Sequence, residues 1–335
     1  MPAMWAQTLH APRPIEAGPL HLREIPVPEP GPGELLILVR ACGVCHTDLH
    51  IAEGEIDLPR LPLIPGHQVV GEVERAGPGA TRLAPGTRVG VAWLNRACGR
   101  CAFCGRGEEN LCDDARFTGW HVDGGYAECL VAPEEFVYRL PDRFSDVEAA
   151  PLLCAGIIGY RALRLSGAQP GDRLALFGFG ASAHITLQVA RHRGCEVIVF
   201  SRSREHRELA LSLGAAWAGQ AGEEAPAPAD RAILFAPAGR LIPAALRSLR
   251  KGGTLASAVI HLDVVPEMDY RLLFGERTLR TVTASTRRDG EELLRDAAAA
   301  GVRVETETFP LSEANRALSR IKEGTMRAAG VLLVR

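Results

Sequence analysis

Leu174-Ala175-Leu176-Phe177-Gly178-Phe179-Gly180-Ala181-Ser182-Ala183 is the stretch that decides how the second half of the chain folds. Its first four residues are apolar and read as a buried strand; the residues from Ala183 to Arg193 read as a helix. Between them lies the pattern G-x-G-x-x-A. Taken alone the pattern is weak, but between a strand and a helix it marks a dinucleotide site. Gly178 permits the tight turn, Gly180 lets the backbone approach a pyrophosphate, and Ala183 keeps the helix close to the sheet. Amides at the helix N-terminus then face the phosphates. Gly178, Gly180, Ala181 and Ala183 are therefore the candidate cofactor residues, and an ordinary glycine-rich turn is the plainer alternative.

Moving outward, Val197 to Phe200 reads as the next strand and Ser203 to Leu213 as a helix stopped by Gly214. Arg231 to Phe235 and Thr254 to Val259 read as further strands, with an Ala/Pro-rich loop from Glu223 to Asp230 before them. Such alternation implies a parallel sheet covered by helices. An acid at the end of the second strand would bind the ribose 2′-hydroxyl of NAD. This chain has Ser201-Arg202-Ser203-Arg204 there instead. Ser201 can donate a hydrogen bond, and Arg202 or Arg204 offers a planar fork suited to phosphate. NADP(H) is expected over NAD(H). The alternative is that the two arginines are a solvated surface pair.

Upstream, residues 1–150 are rich in Pro, Gly and short β-like runs, among them Leu35 to Val39, Val69 to Glu74 and Arg88 to Val91. Turn residues punctuate them as in an all-β unit. The texture changes near Pro151. Beyond Arg287 a helix (Glu291 to Ala300), a strand (Val302 to Phe309), a helix (Ser312 to Glu323) and a strand (Gly330 to Val334) are expected. Periodicity leaves open whether this tail extends the second domain or returns to the first.

The bulk numbers narrow the function classes. A length of 335 residues fits about two domains. A net charge of −2 with dispersed basic residues argues against a nucleic-acid partner. No apolar run is long enough for a membrane span, and the first ten residues lack a secretory pattern, so a cytoplasmic location is expected. The basic residues are nearly all arginine, with lysine only at Lys251 and Lys322. Four of the nine cysteines fall between Cys98 and Cys112. In a cytoplasmic chain such clustering points to metal or catalysis rather than disulfides.

Cys98, Cys101, Cys104 and Cys112 follow C-x2-C-x2-C-x7-C, which suits a closed tetrahedral zinc site with no open position. Four free thiols, or a nucleic-acid-binding zinc module, are the alternatives; acidic Glu108, Glu109, Asp113 and Asp114 speak against the second. Cys45 in Cys42-Gly-Val-Cys45-His46-Thr47-Asp48-Leu-His50, His67 in Pro65-Gly66-His67-Gln68, and Cys154 in Pro151-Leu-Leu-Cys154 could form a second, open site. Two cysteines and one histidine would leave the fourth zinc position for water or substrate. Each is weak alone. Their weight comes from occurring together with the four-cysteine loop and the nucleotide fingerprint.

In that combination the chain resembles the zinc-containing medium-chain alcohol dehydrogenases along essentially its whole length. The resemblance implies an α/β protein: a GroES-like β-rich catalytic domain over 1–152, a Rossmann doubly wound domain over 153–287, and a segment 288–335 returning to the catalytic domain. It implies two zinc ions per chain, a catalytic one on Cys45, His67 and Cys154 and a structural one on Cys98, Cys101, Cys104 and Cys112. Asp48 matches the acid that hydrogen-bonds the zinc-bound histidine. Thr47 and His50 match a proton relay, His46 a residue near the cofactor pyrophosphate, and Trp93 a wall of the substrate pocket. Hydride transfer between a nicotinamide and a small primary alcohol or aldehyde is the implied reaction, in a homodimer or homotetramer. A polyol or secondary-alcohol dehydrogenase on the same scaffold, or a non-catalytic zinc- and nucleotide-binding relative, is the alternative. One departure stands out: Gln68 occupies the position where many relatives carry a glutamate.

Overall fold

The computed structural model describes residues 2–260, 262–326 and 329–334. Two compact units divide the chain. The first comprises Met1–Cys154, Ala284–Leu294 and Val304–Arg335; the second comprises Ala155–Thr283 and Arg295–Arg303.

The first unit is built around a seven-stranded sheet with Glu34–Val44 at its centre. That strand pairs antiparallel with Val69–Ala76, Cys129–Pro133 and Ala329–Leu333. Leu35, Leu36, Ile37, Val39, Ala41 and Cys42 on it are buried. Burial on successive residues explains why the sequence here is nearly continuously apolar rather than alternating. The last strand, Ala329–Leu333, also pairs in parallel with Thr306–Pro310. Through these pairings Ala329–Leu333 lies within the sheet of the first unit.

The second unit holds six parallel strands in the order Trp217–Gly219, Glu196–Phe200, Arg173–Phe177, Ala229–Leu234, Leu249–Ser257 and Thr278–Thr281. Numbered along the chain this is the order 3-2-1-4-5-6 of the Rossmann fold. The reversal lies between Arg173–Phe177 and Ala229–Leu234, so a dinucleotide site belongs at the C-terminal end of the first of these.

Two elements differ in extent from the expectation. The strand read as Val302 to Phe309 is confined to Thr306–Pro310. Arg303 has another partner: its N–H donates to Gln188 Oε1 at 2.8 Å and its carbonyl accepts from Gln188 Nε2 at 2.9 Å. The helix read from Glu291 begins at Arg287. Thr286 Oγ1 accepts from Asp289 N at 3.2 Å and Asp289 Oδ2 accepts from Thr286 N at 2.9 Å, a capping box that starts the helix early. Among the described residues, no helix is long and apolar enough to cross a membrane.

Candidate active site and metal centres

The eight-residue helix His46–Glu53 carries most of the candidate catalytic residues of the first unit. Cys45 is its N-cap, in extended backbone. Asp48 Oδ2 reaches back to accept from the Cys45 N–H at 3.0 Å, which ties the carboxylate to the first turn. Gly54 ends the helix in the left-handed conformation.

Asp48 is fully buried, and its two oxygens accept four hydrogen bonds. Oδ1 takes His67 Nδ1 at 3.0 Å and Gly66 N at 3.1 Å. Oδ2 takes Cys45 N at 3.0 Å and the Tyr126 hydroxyl at 3.1 Å. A buried charge so fully satisfied is stable where an unpaired one would not be. With its Nδ1 engaged by Asp48, His67 has Nε2 left to act as a ligand. Tyr126 went unremarked in the sequence. Its only signal there is Gly66: a side chain at Gly66 would strike the Tyr126 ring at 2.4 Å, and its φ of 97° favours glycine independently.

Cys154 lies in a π-helical turn, Leu152–Gly156, immediately after Pro151. Proline lacks the N–H that an α-helix would use, and π-turns recur where a helix re-aims a functional side chain. The turn brings Cys154 Sγ within 4.0 Å of Cys45 Sγ, although the residues are 109 apart in sequence. The ligand atoms of Cys45, His67 and Cys154 all lie within 4.8 Å of one another. Two sulfurs on a tetrahedral zinc are about 3.8 Å apart, given Zn–S bonds of about 2.3 Å. The donor set also calls for a cation. Burial disfavours charge on His67, yet Asp48 and Cys45 outweigh it and raise the ring to a pKa of about 10. The Cys154 and His67 side chains in turn draw the Cys45 thiol well below its ordinary value. These residues fit a zinc ion with three protein ligands and one open corner.

Cys98, Cys101, Cys104 and Cys112 form the other cluster, again with sulfurs within 4.8 Å and Cys98 and Cys104 at 3.9 Å. Main-chain amides point at the sulfurs: Cys98 N to Cys112 Sγ at 3.4 Å, Cys101 N to Cys98 Sγ at 3.3 Å, and Cys104 N to Cys101 Sγ at 3.5 Å. The N–H groups of Arg100 and Cys101 lower the Cys98 thiol to about 6. Burial and the neighbouring sulfurs push Cys104 up to about 12. A cation would offset the burial that raises the Cys104 thiol, which fits a closed four-sulfur zinc site.

Thr47 is buried, with its hydroxyl 3.7 Å from Cys45 Sγ. His50 lies one turn further on and pairs through Nδ1 with Glu55, a carboxylate the sequence reading did not single out. His46 is exposed, its ring centre 6.4 Å from that of His50. Trp93 meets the His67 ring edge to face at 4.8 Å. Gln68 is buried against Gly43: a side chain at Gly43 would meet Gln68 Cδ at 2.8 Å. Its neutral amide adds no charge beside the metal ligands.

In the second unit, Gly178 has a φ of 92°, and a Cβ there would meet the Ala236 amide at 2.8 Å. Only glycine makes this turn without strain. Gly180 caps the helix Ala181–His192, and a Cβ built on it meets nothing within 4 Å. That open space before a helix N-terminus leaves room for an anion to meet the helix amides. Ala183 is fully buried. At the end of Glu196–Phe200, Ser201 is buried and Arg202 is exposed. Ser203 caps the next helix by accepting from His206 N at 3.2 Å, and Arg204 pairs with Glu208 at 2.7 Å. Arg207, missed from sequence, donates to the carbonyls of Ser201 and Arg202, each at 2.8 Å.

With this geometry in place, the likeness to known proteins is informative. The family described as Alcohol dehydrogenase GroES-like domain matches residues 31–142, and that described as Zinc-binding dehydrogenase matches residues 183–299. A protein of Mycobacterium tuberculosis (strain CDC 1551 / Oshkosh) named probable alcohol dehydrogenase AdhA is 49% identical over 337 residues, covering 99% of this chain and 97% of its own. An alcohol dehydrogenase of Geobacillus stearothermophilus is 37% identical over 326 residues, covering 94% and 96%. A cobalt- and zinc-bound thermostable alcohol dehydrogenase from Pyrobaculum aerophilum superposes with a TM-score of 0.89 at 27% identity, covering 99% of this chain and 100% of that one. The chain belongs to the zinc-dependent alcohol dehydrogenases of the medium-chain dehydrogenase/reductase superfamily, enzymes that work with NAD(P).

Proposed function

We propose that the protein interconverts small primary alcohols and aldehydes with NADP(H) as the hydride carrier, NAD(H) being the alternative. The observation that carries this reading is the convergence of Cys45, His67 and Cys154, backed by buried Asp48, with one tetrahedral corner left open. Held there, zinc supplies Lewis-acid polarisation of the substrate oxygen, and the nicotinamide supplies the hydride chemistry. The chain's own residues do the rest. Asp48 orients His67 and balances the charge of the centre. The Thr47 hydroxyl, buried beside Cys45, would take up the proton of the alcohol while releasing its own. His50, whose side chain is 18% exposed, stands at the wetter end and passes that proton to solvent. The closed four-cysteine site has no open position and serves the fold.

Gly178, Gly180 and Ala181 hold the pyrophosphate, and buried Ala183 lets the helix that faces it sit close to the sheet. Ser201 and Arg202 take the 2′-phosphate, since no acid stands there to repel it. Arg204 contributes less, being paired with Glu208. A homodimer or homotetramer belongs to the same reading. Thr278–Thr281 is an edge strand of the parallel sheet, and Tyr270 and Phe274 before it are strongly exposed.

The deciding experiment follows cofactor oxidation at neutral pH with zinc-replete protein and a panel of short aliphatic and aromatic aldehydes. Turnover favouring NADPH supports the whole reading. Turnover with NADH alone keeps the enzyme and overturns the cofactor choice. No turnover with either overturns the proposed reaction.

A further inference from the structure

His50 and Glu55 meet at the C-terminal end of the helix His46–Glu53. The chain turns back there at Gly54, whose φ of 75° lies in the left-handed region. The Glu55 N–H then donates to the His50 carbonyl at 2.9 Å, and the Gly54 N–H to that of Ile51 at 3.3 Å. Bonds in this pattern close a helix and bring the residue after the glycine back over its last turn. Glu55 is thereby tied to the backbone of His50 itself, and its carboxylate pairs with Nδ1 of the same residue. The turn is clamped from outside. A side chain at Gly54 would strike Pro12 Cβ at 2.7 Å, and the Arg13 N–H donates to the Ala52 carbonyl at 3.1 Å.

Stability does not account for a carboxylate in this place. The C-terminal end of a helix carries partial negative charge, so an acid is unfavourable there. The Glu55 side chain is 53% exposed, and an exposed ion pair adds little to a fold. Glu53 offers a comparison: it accepts from the Ile15 N–H and from Lys322 Nζ, each at 2.8 Å, and so ties three segments together. Glu55 instead addresses an imidazole.

A neutral imidazole has two tautomers, and in each only one nitrogen can accept a proton. A carboxylate on Nδ1 favours the form that carries its proton there, which makes Nε2 the accepting nitrogen. A ring held in that form takes a proton at Nε2 and releases the one on Nδ1 towards solvent beside Glu55. One proton enters and one leaves, and exchange with water restores the first form. Asp48 engages His67 through Nδ1 in the same manner. The first unit thus contains two histidine–carboxylate pairs, one at a metal ligand and one at the proposed relay.

We propose that Glu55 is a positioning residue for His50, fixing the tautomer in which Nε2 accepts the proton released on alcohol oxidation. The inference rests on the relay role of His50 proposed above, and it requires no contact of Glu55 with substrate or cofactor.

The test measures kcat/KM for alcohol oxidation in zinc-replete protein, with the primary alcohol whose aldehyde is turned over fastest in the panel above. His50→Gln should lower it by about 100-fold, the low end of general-base catalysis. Glu55→Ala should lower it by about three- to tenfold, because an exposed partner orients the ring less firmly than a buried one. The KM for the cofactor and the zinc content should stay at wild-type values in both. Glu55→Asp keeps the carboxylate and should recover part of the rate. Nitrogen-15 NMR of the histidine rings reads the tautomer directly at a pH where the ring is neutral, the His50 signals being identified by their loss in His50→Gln. Nδ1 should carry the proton in wild type and lose it in part in Glu55→Ala. An unchanged rate in Glu55→Ala beside a full loss in His50→Gln overturns the positioning role and leaves the relay standing, and so does a lower rate with an unchanged tautomer. An unchanged rate in His50→Gln overturns the relay and this inference with it. Absence of turnover across the panel overturns the reaction and everything that rests on it.

Discussion

The two sulfur centres contrast in where their ligands come from. Cys98, Cys101, Cys104 and Cys112 belong to one loop, and main-chain amides of that loop point at their sulfurs. Cys45, His67 and Cys154 come from a helix cap, the segment leading into Val69–Ala76 and a π-turn, and a buried carboxylate with four donors holds the first two. A loop that wraps its own ion needs little from the rest of the protein and leaves no corner free. An open site must be held in shape from outside, because the corner meant for substrate cannot hold it.

That contrast makes its strongest prediction about loss of a ligand. Cys45→Ser should lower aldehyde reduction by about a thousandfold or more, since Lewis-acid stabilisation is worth several kcal/mol. Metal analysis should show zinc falling from two ions per chain to one. Cys104→Ser should also lose one zinc, but its main symptom should be a lower melting temperature, because a structural zinc contributes folding energy directly. If both variants lost activity equally with equal loss of stability, the division into a catalytic and a structural centre would fail.

The carboxylate comes next. Asp48→Asn removes the charge that faces His67 and places an amide among donors that already fill both oxygens. Metal affinity at the open site should drop about 10- to 100-fold, the usual cost of losing such a partner. Competition with a chelator would measure it, and the four-cysteine site in the same protein serves as the internal reference.

A smaller effect is expected in the nucleotide-binding unit. Arg207 holds the Ser201–Arg202 loop by two carbonyl bonds and so positions Arg202. Arg207→Ala should raise the KM for NADPH by about three- to tenfold, the scale of charge-assisted hydrogen bonds. The KM for NADH should change less, and Arg207→Lys should restore part of the loss. Equal loss with both cofactors would reduce Arg207 to a purely structural role.

Legibility in sequence follows the same contrast. The four-cysteine spacing is readable because its geometry is local, and the Rossmann turn is readable because the positive φ of Gly178 is a demand of the local backbone. Partners that meet only after folding left little trace. Glu55 pairs with His50 across a helix end, Arg207 acts from one turn into the following helix, and Phe117 and Trp120 reach Trp93 through a short strand pair. The over-long reading of the strand ending at Phe309 has the same origin, since Gln188 claims the backbone of Arg303 from a distant helix.

Tyr126 provides the finest test of the idea that the open site is held from outside. Its hydroxyl is one of four donors to Asp48, and the ring beneath it is fully buried against Gly66. Tyr126→Phe keeps the ring and removes only the hydroxyl. The carboxylate then retains Gly66 N, Cys45 N and His67 Nδ1, so Asp48 is still fixed on three sides. Stability should fall by about 1–2 kcal/mol, in line with one hydrogen bond to a charged group. Zinc retention at the open site should weaken by less than the Asp48→Asn variant shows, and the four-cysteine site should not change. A loss of zinc as large as that of Asp48→Asn would mean that the hydroxyl, rather than the three remaining donors, sets the orientation of the carboxylate. The support of the open centre would then reach at least one residue further out from the metal.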